Sequence, residues 1–225
     1  MDKLLRSSEV KKVLEVAAES HEKEQLRVVT AKSCVTLRNA LITSLLVRSV
    51  RRAQEFTELT VGEWKARTLH SAETSVIKVK KHKTMSFGSA DLILSKLEEL
   101  ALKAYMMYGR QFFTSCQLDG CPVFLSSTPS KGSGECCGKL HISNITAIIR
   151  KTAIRAGVTT RAVNTRMLRR STISSAWSWN TDPSFRQELS QLAGHSYETA
   201  RRYYAVYDTS KQSRKVVTTL EEYRE

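Results

Sequence analysis

Apolar side chains recur along this chain at two different spacings, and the changes between them mark out its elements. From about Leu26 to Val50, the positions Val28, Val29, Leu37, Leu41, Leu45 and Leu46 follow one another at helical intervals, which predicts one long helix with a buried face. The charged, weakly amphipathic residues ahead of it (1–25) predict a shorter helix that runs out into the acidic stretch ESHEKEQ. FTELTVGEW closes the long helix, and two runs rich in β-formers follow, WKARTLH and TSVIKVKKHKT, with Ser71, Ala72 and Glu73 between them. In the second run Val76, Lys78 and Lys80 alternate with Ile77, Val79 and Lys81, a period of two that predicts a hairpin or a three-stranded sheet. SADLILSKLEELALKAYMMYGRQFF returns to helical spacing behind a Ser/Asp start. Cys116–Gly138 is a Gly- and Pro-containing loop with one strand-like piece, PVFLSS. Three more helices complete the pattern: HISNITAIIRKTAIRAG, stopped by Gly157; NTRMLRRSTISSAWSW; and DPSFRQELSQLAG, with Pro183 in its first turn and Gly194 at its end. No internal repeat is visible. The expected fold is mainly α with a small antiparallel β-sheet.

With 225 residues, 41% of them hydrophobic, the chain is large enough for one large domain, or one domain with a small appendage, and too apolar for global disorder. No apolar run approaches the length of a membrane span, and MDKLLRSSEVKK lacks the apolar centre of a signal peptide. Five bunched cysteines, an odd number, fit a reduced protein better than a disulfide framework. These features lead to the expectation of an intracellular protein with no membrane partner.

Charge narrows the function. The formal net charge is +14, and Arg150 to Lys215 holds 13 Lys/Arg against 4 Asp/Glu, whereas residues 1–26 hold 5 against 6. Such one-sided charge is the footprint of a polyanion binder, although a solvated basic surface without a partner has the same composition.

Phosphodiester cleavage without a metal needs a nucleophile, cations on the phosphate and a proton donor for the departing oxygen. Arginine suits the cation role because its planar fork binds two oxygens and stays charged. Those residue types occur here in order. RRAQEF places Arg52 and Glu55 three apart at a helix end, and KKHKT ends a strand with Lys83. RMLRRS puts Arg169 on a helix, AGHS puts His195 at a helix terminus, and Tyr204 follows nine residues later. Each residue also has a plainer reading. Tyr203 and Tyr204 are candidates for core aromatics, His195 for a helix cap, and Lys80, Lys81 and Lys83 for a solvated basic edge. Trp177 and Trp179 read as core or interface. Arg170 diverges from Arg169 by about 100° around a helix, so the two do not face one phosphate. Cys116, Cys121, Cys136, Cys137 and His141 lack the paired knuckles of a zinc site, so no metal and no other cofactor is expected.

The ordered set, and LAGHSYETARRYY above all, resembles the catalytic domain of the tyrosine recombinase (phage integrase) family. The surrounding text, RRAQEFTELT and LHISNITAIIRKTAIRAGV, is most similar to its eukaryotic transposon-borne, crypton-type branch. The resemblance implies that residues 26–210 are the catalytic domain, flanked by a helical extension (1–25) and a C-terminal tail (211–225). It implies a site-specific DNA recombinase or integrase that cuts and rejoins double-stranded DNA through a covalent 3′-phosphotyrosine, with no metal or ATP. Tyr204 would attack, Arg52 and Arg169 would hold the non-bridging oxygens, and Lys83 would protonate the 5′ oxygen. His195 would donate a hydrogen bond or act in proton transfer, and Glu55 would orient its neighbours. Lys80, Lys81, Arg170, Arg201 and Arg202 would contact the DNA backbone.

Arg166 departs from the family's pattern, which has histidine there. Family members also carry an N-terminal clamp domain of about a hundred residues, so the chain is expected to be a catalytic fragment or a shortened relative. The resemblance further implies a homotetramer on two DNA sites and, in a eukaryote, a nuclear location. Two alternatives share these features: a domesticated DNA-binding protein that keeps the fold without cutting, and a type IB topoisomerase-like nicking and closing enzyme.

Overall fold

The computed structural model describes residues 8–22, 30–82, 89–127, 138–158 and 163–204. Helix α1 spans Ser8–Glu22 and packs on α2, Ala31–Ser49. The start of α2 is set by a reciprocal cap: Thr30 Oγ1 accepts from the Ser33 amide at 3.1 Å, and Ser33 Oγ accepts from the Thr30 amide at 2.9 Å. The helix thus begins later than the apolar spacing from Leu26 predicts, and residues 26–29 lie outside the described residues. Leu41, Ile42 and Leu45 are fully buried, because α2 runs through the middle of the domain. It ends at Val50 with φ +57°, a left-handed conformation unusual for a β-branched residue and held there by burial.

Helix α3 (Ala53–Glu58) and helix α4 (Val61–Lys65) follow. Trp64 and Lys65, read from sequence as the start of a strand, belong to α4. Thr60 caps its first turn, accepting from the Glu63 amide at 3.2 Å, and Glu63 returns a bond to the Thr60 amide at 2.9 Å. Three antiparallel strands come next in the order β1 (Thr68–Ser71), β2 (Thr74–Val79) and β3 (Ala90–Ser95). Residues 90–95 therefore correct the expectation of a helix from Ser89 onward. Their alternation governs: Ala90, Leu92 and Leu94 are buried, and Ile77 lies opposite Leu92. Ser95 then caps α5 (Lys96–Ala104), its hydroxyl bonding the Glu98 carboxylate at 2.8 Å. Beyond α5 the chain winds through a π turn, Tyr105–Gly109, and a 3-10 turn, Arg110–Phe112.

PVFLSS is not a full strand. It makes isolated bridges, Thr60 with Pro122 and Leu125 with Lys139, while Val123, Phe124 and Leu125 plug the core. Helix α6 is Ile142–Arg155, α7 Thr165–Trp179, α8 Pro183–Leu192 and α9 Tyr197–Tyr204. Gly157 (φ +73°) stops α6, and Asn164 and Asp182 cap α7 and α8 through side-chain oxygens.

The main core gathers α2, the sheet, α5 and α6. A second, smaller cluster holds Val50, Ile173, Trp177, Leu189, Ala193, Ala200 and Tyr204, so α7, α8 and α9 are tied to the end of α2 by their own apolar contacts. Trp179 is not a core residue; it is 82% exposed and meets Phe185 edge-on. Among the described residues no helix is long and apolar enough to cross a membrane.

Candidate active site

The site is built around the turn between α8 and α9. Gly194 sits at φ +61°, a conformation glycine reaches without the penalty a Cβ brings. Its amide bonds the Gln191 carbonyl at 2.8 Å, and the His195 amide bonds the Ser190 carbonyl at 2.9 Å. That pair of bonds is a Schellman closure, which fixes where His195 leaves the helix. The Ser196 hydroxyl then accepts from the Thr199 amide at 3.2 Å as α9 starts.

Two arginines converge on this turn from distant parts of the chain. Arg169, on α7 and only 8% exposed, donates to the Ala193 carbonyl. Arg52, the residue before α3, reaches the Gly194 carbonyl at 3.5 Å. Glu55, 4% exposed, accepts from the Arg52 amide at 3.1 Å and stands 3.9 Å from its guanidinium. The carboxylate therefore both starts α3 and holds Arg52 in place. Tyr204 closes the cluster at the end of α9. Its ring centroid lies 6.3 Å from that of His195, nearly perpendicular to it, and 6.2 Å from that of Trp177.

The electrostatics follow from this crowding. Burial pushes the Arg169 pKa down to about 10, and the like charges of Arg52 and Arg51 push the same way, against Glu55 and Tyr204. The group stays cationic at neutral pH. His195 is driven down to about 4, first by burial and then by Arg169 and Arg52, so its imidazole is neutral. Burial raises the pKa of Tyr204, while Arg169, Arg170 and Arg52 pull it back. A cation pair, a neutral imidazole and a phenol thus share one cluster. That set can hold an anion, hydrogen-bond it through a neutral ring and supply an oxygen nucleophile.

Arg52, Glu55, Arg169, His195 and Tyr204 come together; other sequence-predicted residues stand elsewhere. Arg166 is exposed at the start of α7. Arg170, Arg201, Arg202 and Tyr203 are exposed on α7 and α9. Lys80 is exposed, with its amide bonded to Glu63 at 2.8 Å, and the Lys81 ammonium lies 3.7 Å from the Glu58 carboxylate. Lys83 lies outside the described residues.

One further residue of the site, Arg51, was not singled out from sequence, and Trp177, expected as core or interface, is a core residue. Arg51 is buried and donates to the Asp91 carbonyl of β3 at 2.9 Å, anchoring the sheet edge behind Arg52. Trp177 is 1% exposed and packs against Tyr197, Tyr204 and the guanidinium of Arg186. The Arg-Arg dipeptide was the available signal for Arg51. Among the described residues no group of three metal-binding side chains occurs.

Solved structures share this architecture. The chain is similar to the XerH site-specific recombinase in a post-cleavage complex with palindromic difH substrate, at 20% identity and TM-score 0.58, over 91% of this chain and 51% of that one. The pre-cleavage XerH–difH complex matches at 21% identity and TM-score 0.55, over 88% of this chain and 50% of that one. XerA recombinase matches at 21% identity and TM-score 0.53, over 92% and 62%. The fold is that of a tyrosine recombinase catalytic domain. The chain spans between half and two thirds of the length of these recombinases. No protein-family profile matches it, and no curated protein does.

Proposed function

We propose that this domain cleaves and rejoins DNA by transesterification at Tyr204. The observation that carries the reading is the meeting of Arg52 and Arg169 on consecutive carbonyls of the turn that presents His195, with Tyr204 in the same cluster. In the reaction the Tyr204 hydroxyl oxygen bonds to phosphorus, the bond from phosphorus to the 5′ oxygen breaks, and a 3′-phosphotyrosine remains. The two guanidinium groups neutralise the charge that grows on the non-bridging oxygens. The neutral His195 ring would hydrogen-bond the phosphate, the phenolic proton would pass to water, and the role of acid toward the 5′ oxygen falls to Lys83 by resemblance. The ester keeps the bond energy of the phosphodiester, so resealing needs no nucleotide cofactor. Strand exchange between two sites would be carried out by a homotetramer, again by resemblance, and the affinity for crypton-type recombinases belongs to the same reading.

The test is a nicked suicide DNA substrate followed on a denaturing gel. The unaltered chain and Tyr203→Phe should give a covalent adduct, and Tyr204→Phe should give none while still binding DNA. An adduct with Tyr204→Phe but not with Tyr203→Phe would move the nucleophile one residue back. One observation favours a second reading, a DNA-binding domain that no longer cuts: the family's histidine is replaced by the exposed Arg166. Under it, no variant yields an adduct and Arg166→His does not create one.

A further inference from the structure

In the small apolar cluster of Val61, Cys121 and Leu125, two thiols face each other. The Sγ atoms of Cys116 and Cys121 lie 2.9 Å apart. A disulfide bond is ~2.05 Å long, so joining them needs an approach of less than about 1 Å. Two thiolates on one tetrahedral zinc, at the usual ~2.3 Å from the metal, would stand nearly 4 Å apart. The contact is much tighter than that, and no group of three metal-binding side chains occurs among the described residues.

The closeness does not depend on the sulfurs themselves. Buried Arg110 bonds the carbonyls at both ends of the loop, Cys116 and Pro122, the latter at 3.1 Å. The Cys121 amide bonds the Leu118 carbonyl at 3.0 Å, and the Cys121 carbonyl accepts from the Val61 amide at 2.9 Å. The Asp119 carbonyl accepts from the Gly62 amide at 2.8 Å. Backbone bonds to α4 and a guanidinium inside the loop thus hold both cysteines in reach of each other. Their accessibility differs: Cys121 is buried, whereas Cys116 is half-buried beside the exposed residues 117–120.

We propose that Cys116 and Cys121 form a redox modification site, converted to an intraloop disulfide by exchange with a low-molecular-weight disulfide. The Cys116 thiolate attacks one sulfur of the small disulfide, RSSR, forming a mixed disulfide and releasing RS⁻. The Cys121 thiolate then attacks Cys116 Sγ, forming the intraloop bond and releasing the second RS⁻. Both thiol protons end on the two RSH products, and the two electrons lost by the cysteines reduce RSSR. The bond would fasten the loop at residues 116–121, and with it the amides of Val61 and Gly62 at the start of α4.

The experiment treats the folded full chain with oxidised glutathione, blocks remaining thiols with an alkylating reagent, and maps tryptic peptides by mass. Cys116 and Cys121 share the peptide Gln111–Lys131, whereas Cys136 and Cys137 fall in Gly132–Lys139. Gln111–Lys131 should lose two hydrogens, take up no alkylating reagent, and recover both sites after reduction. Cys116→Ser and Cys121→Ser should each abolish that loss, with helix content by circular dichroism confirming that the variants fold. A cross-link between the two peptides, or both thiols staying alkylatable in the unaltered chain, would overturn the proposal. So would protection that a chelator removes together with one bound zinc per chain, which would make the pair part of a metal site instead.

Discussion

Lowering the pH through the range where histidines titrate should destabilise this domain through His195 in particular. Its folded pKa is about 4 against the ordinary 6.5, because burial and then Arg169 and Arg52 oppose a third positive charge at the turn. Between those two values the unfolded chain binds a proton that the folded chain refuses, so stability is full above the unfolded value and falls as pH drops toward the folded one. At ~1.36 kcal/mol per pKa unit the ceiling is about 3 kcal/mol. The ring is only partly buried, and screening by water lowers the expected loss to about 1–2 kcal/mol. The assay is urea unfolding of the unaltered chain and of His195→Gln at steps between about pH 7 and pH 4. His195→Gln removes one titration and leaves His21, His70, His82 and His141 in both proteins. The unaltered chain should lose about 1–2 kcal/mol more than the variant as pH falls. Parallel curves, or an imidazole assigned to residue 195 by NMR that titrates at or above ~6.5, would refute the argument.

Three further outcomes are expected. Trp177→Ala should cost about 3–5 kcal/mol in urea unfolding, since Trp177 fills the second cluster and backs Tyr204; a loss below about 1 kcal/mol would mean that the cluster is not what seats α9. Ser95→Ala should cost about 1 kcal/mol or more, because Ser95 caps α5 and bonds the buried Glu98 carboxylate, and thermal melts would read it. DNA affinity should fall steeply as salt rises, since neutralised phosphates release counterions; a flat profile in fluorescence anisotropy would contradict the role assigned to the basic side chains.

The helices of the second half were legible because their punctuation is local: Gly157, Asn164, Pro183 and Gly194 stand where the chain starts and stops its turns. β3 was not, because SADLILS carries a period of two for only a few residues before the period of α5 takes over, and the pairing with β2 that selects the strand is a tertiary fact. Tyr204 and His195 were legible as a pair through their separation on one short segment. Arg51 was hidden by its neighbour: sequence cannot say which of two adjacent arginines faces the turn and which faces β3. The left-handed Val50 just ahead of them defies its own side-chain preference and leaves no local mark.

The division into two apolar clusters bears on how this chain could diversify. Residues that fill the main core serve chiefly the sheet, α2, α5 and α6, whereas those around Trp177 serve chiefly the seating of α7, α8 and α9. Val50 belongs to the smaller set while ending the central helix of the larger, and Leu168 of α7 belongs to the larger, so the two sets meet at those residues. Volume-conserving changes in the smaller set can shift the tyrosine or the histidine while the larger core keeps its own packing. A chain built this way can adjust the geometry of that turn one side chain at a time, on a scaffold that does not have to be reinvented.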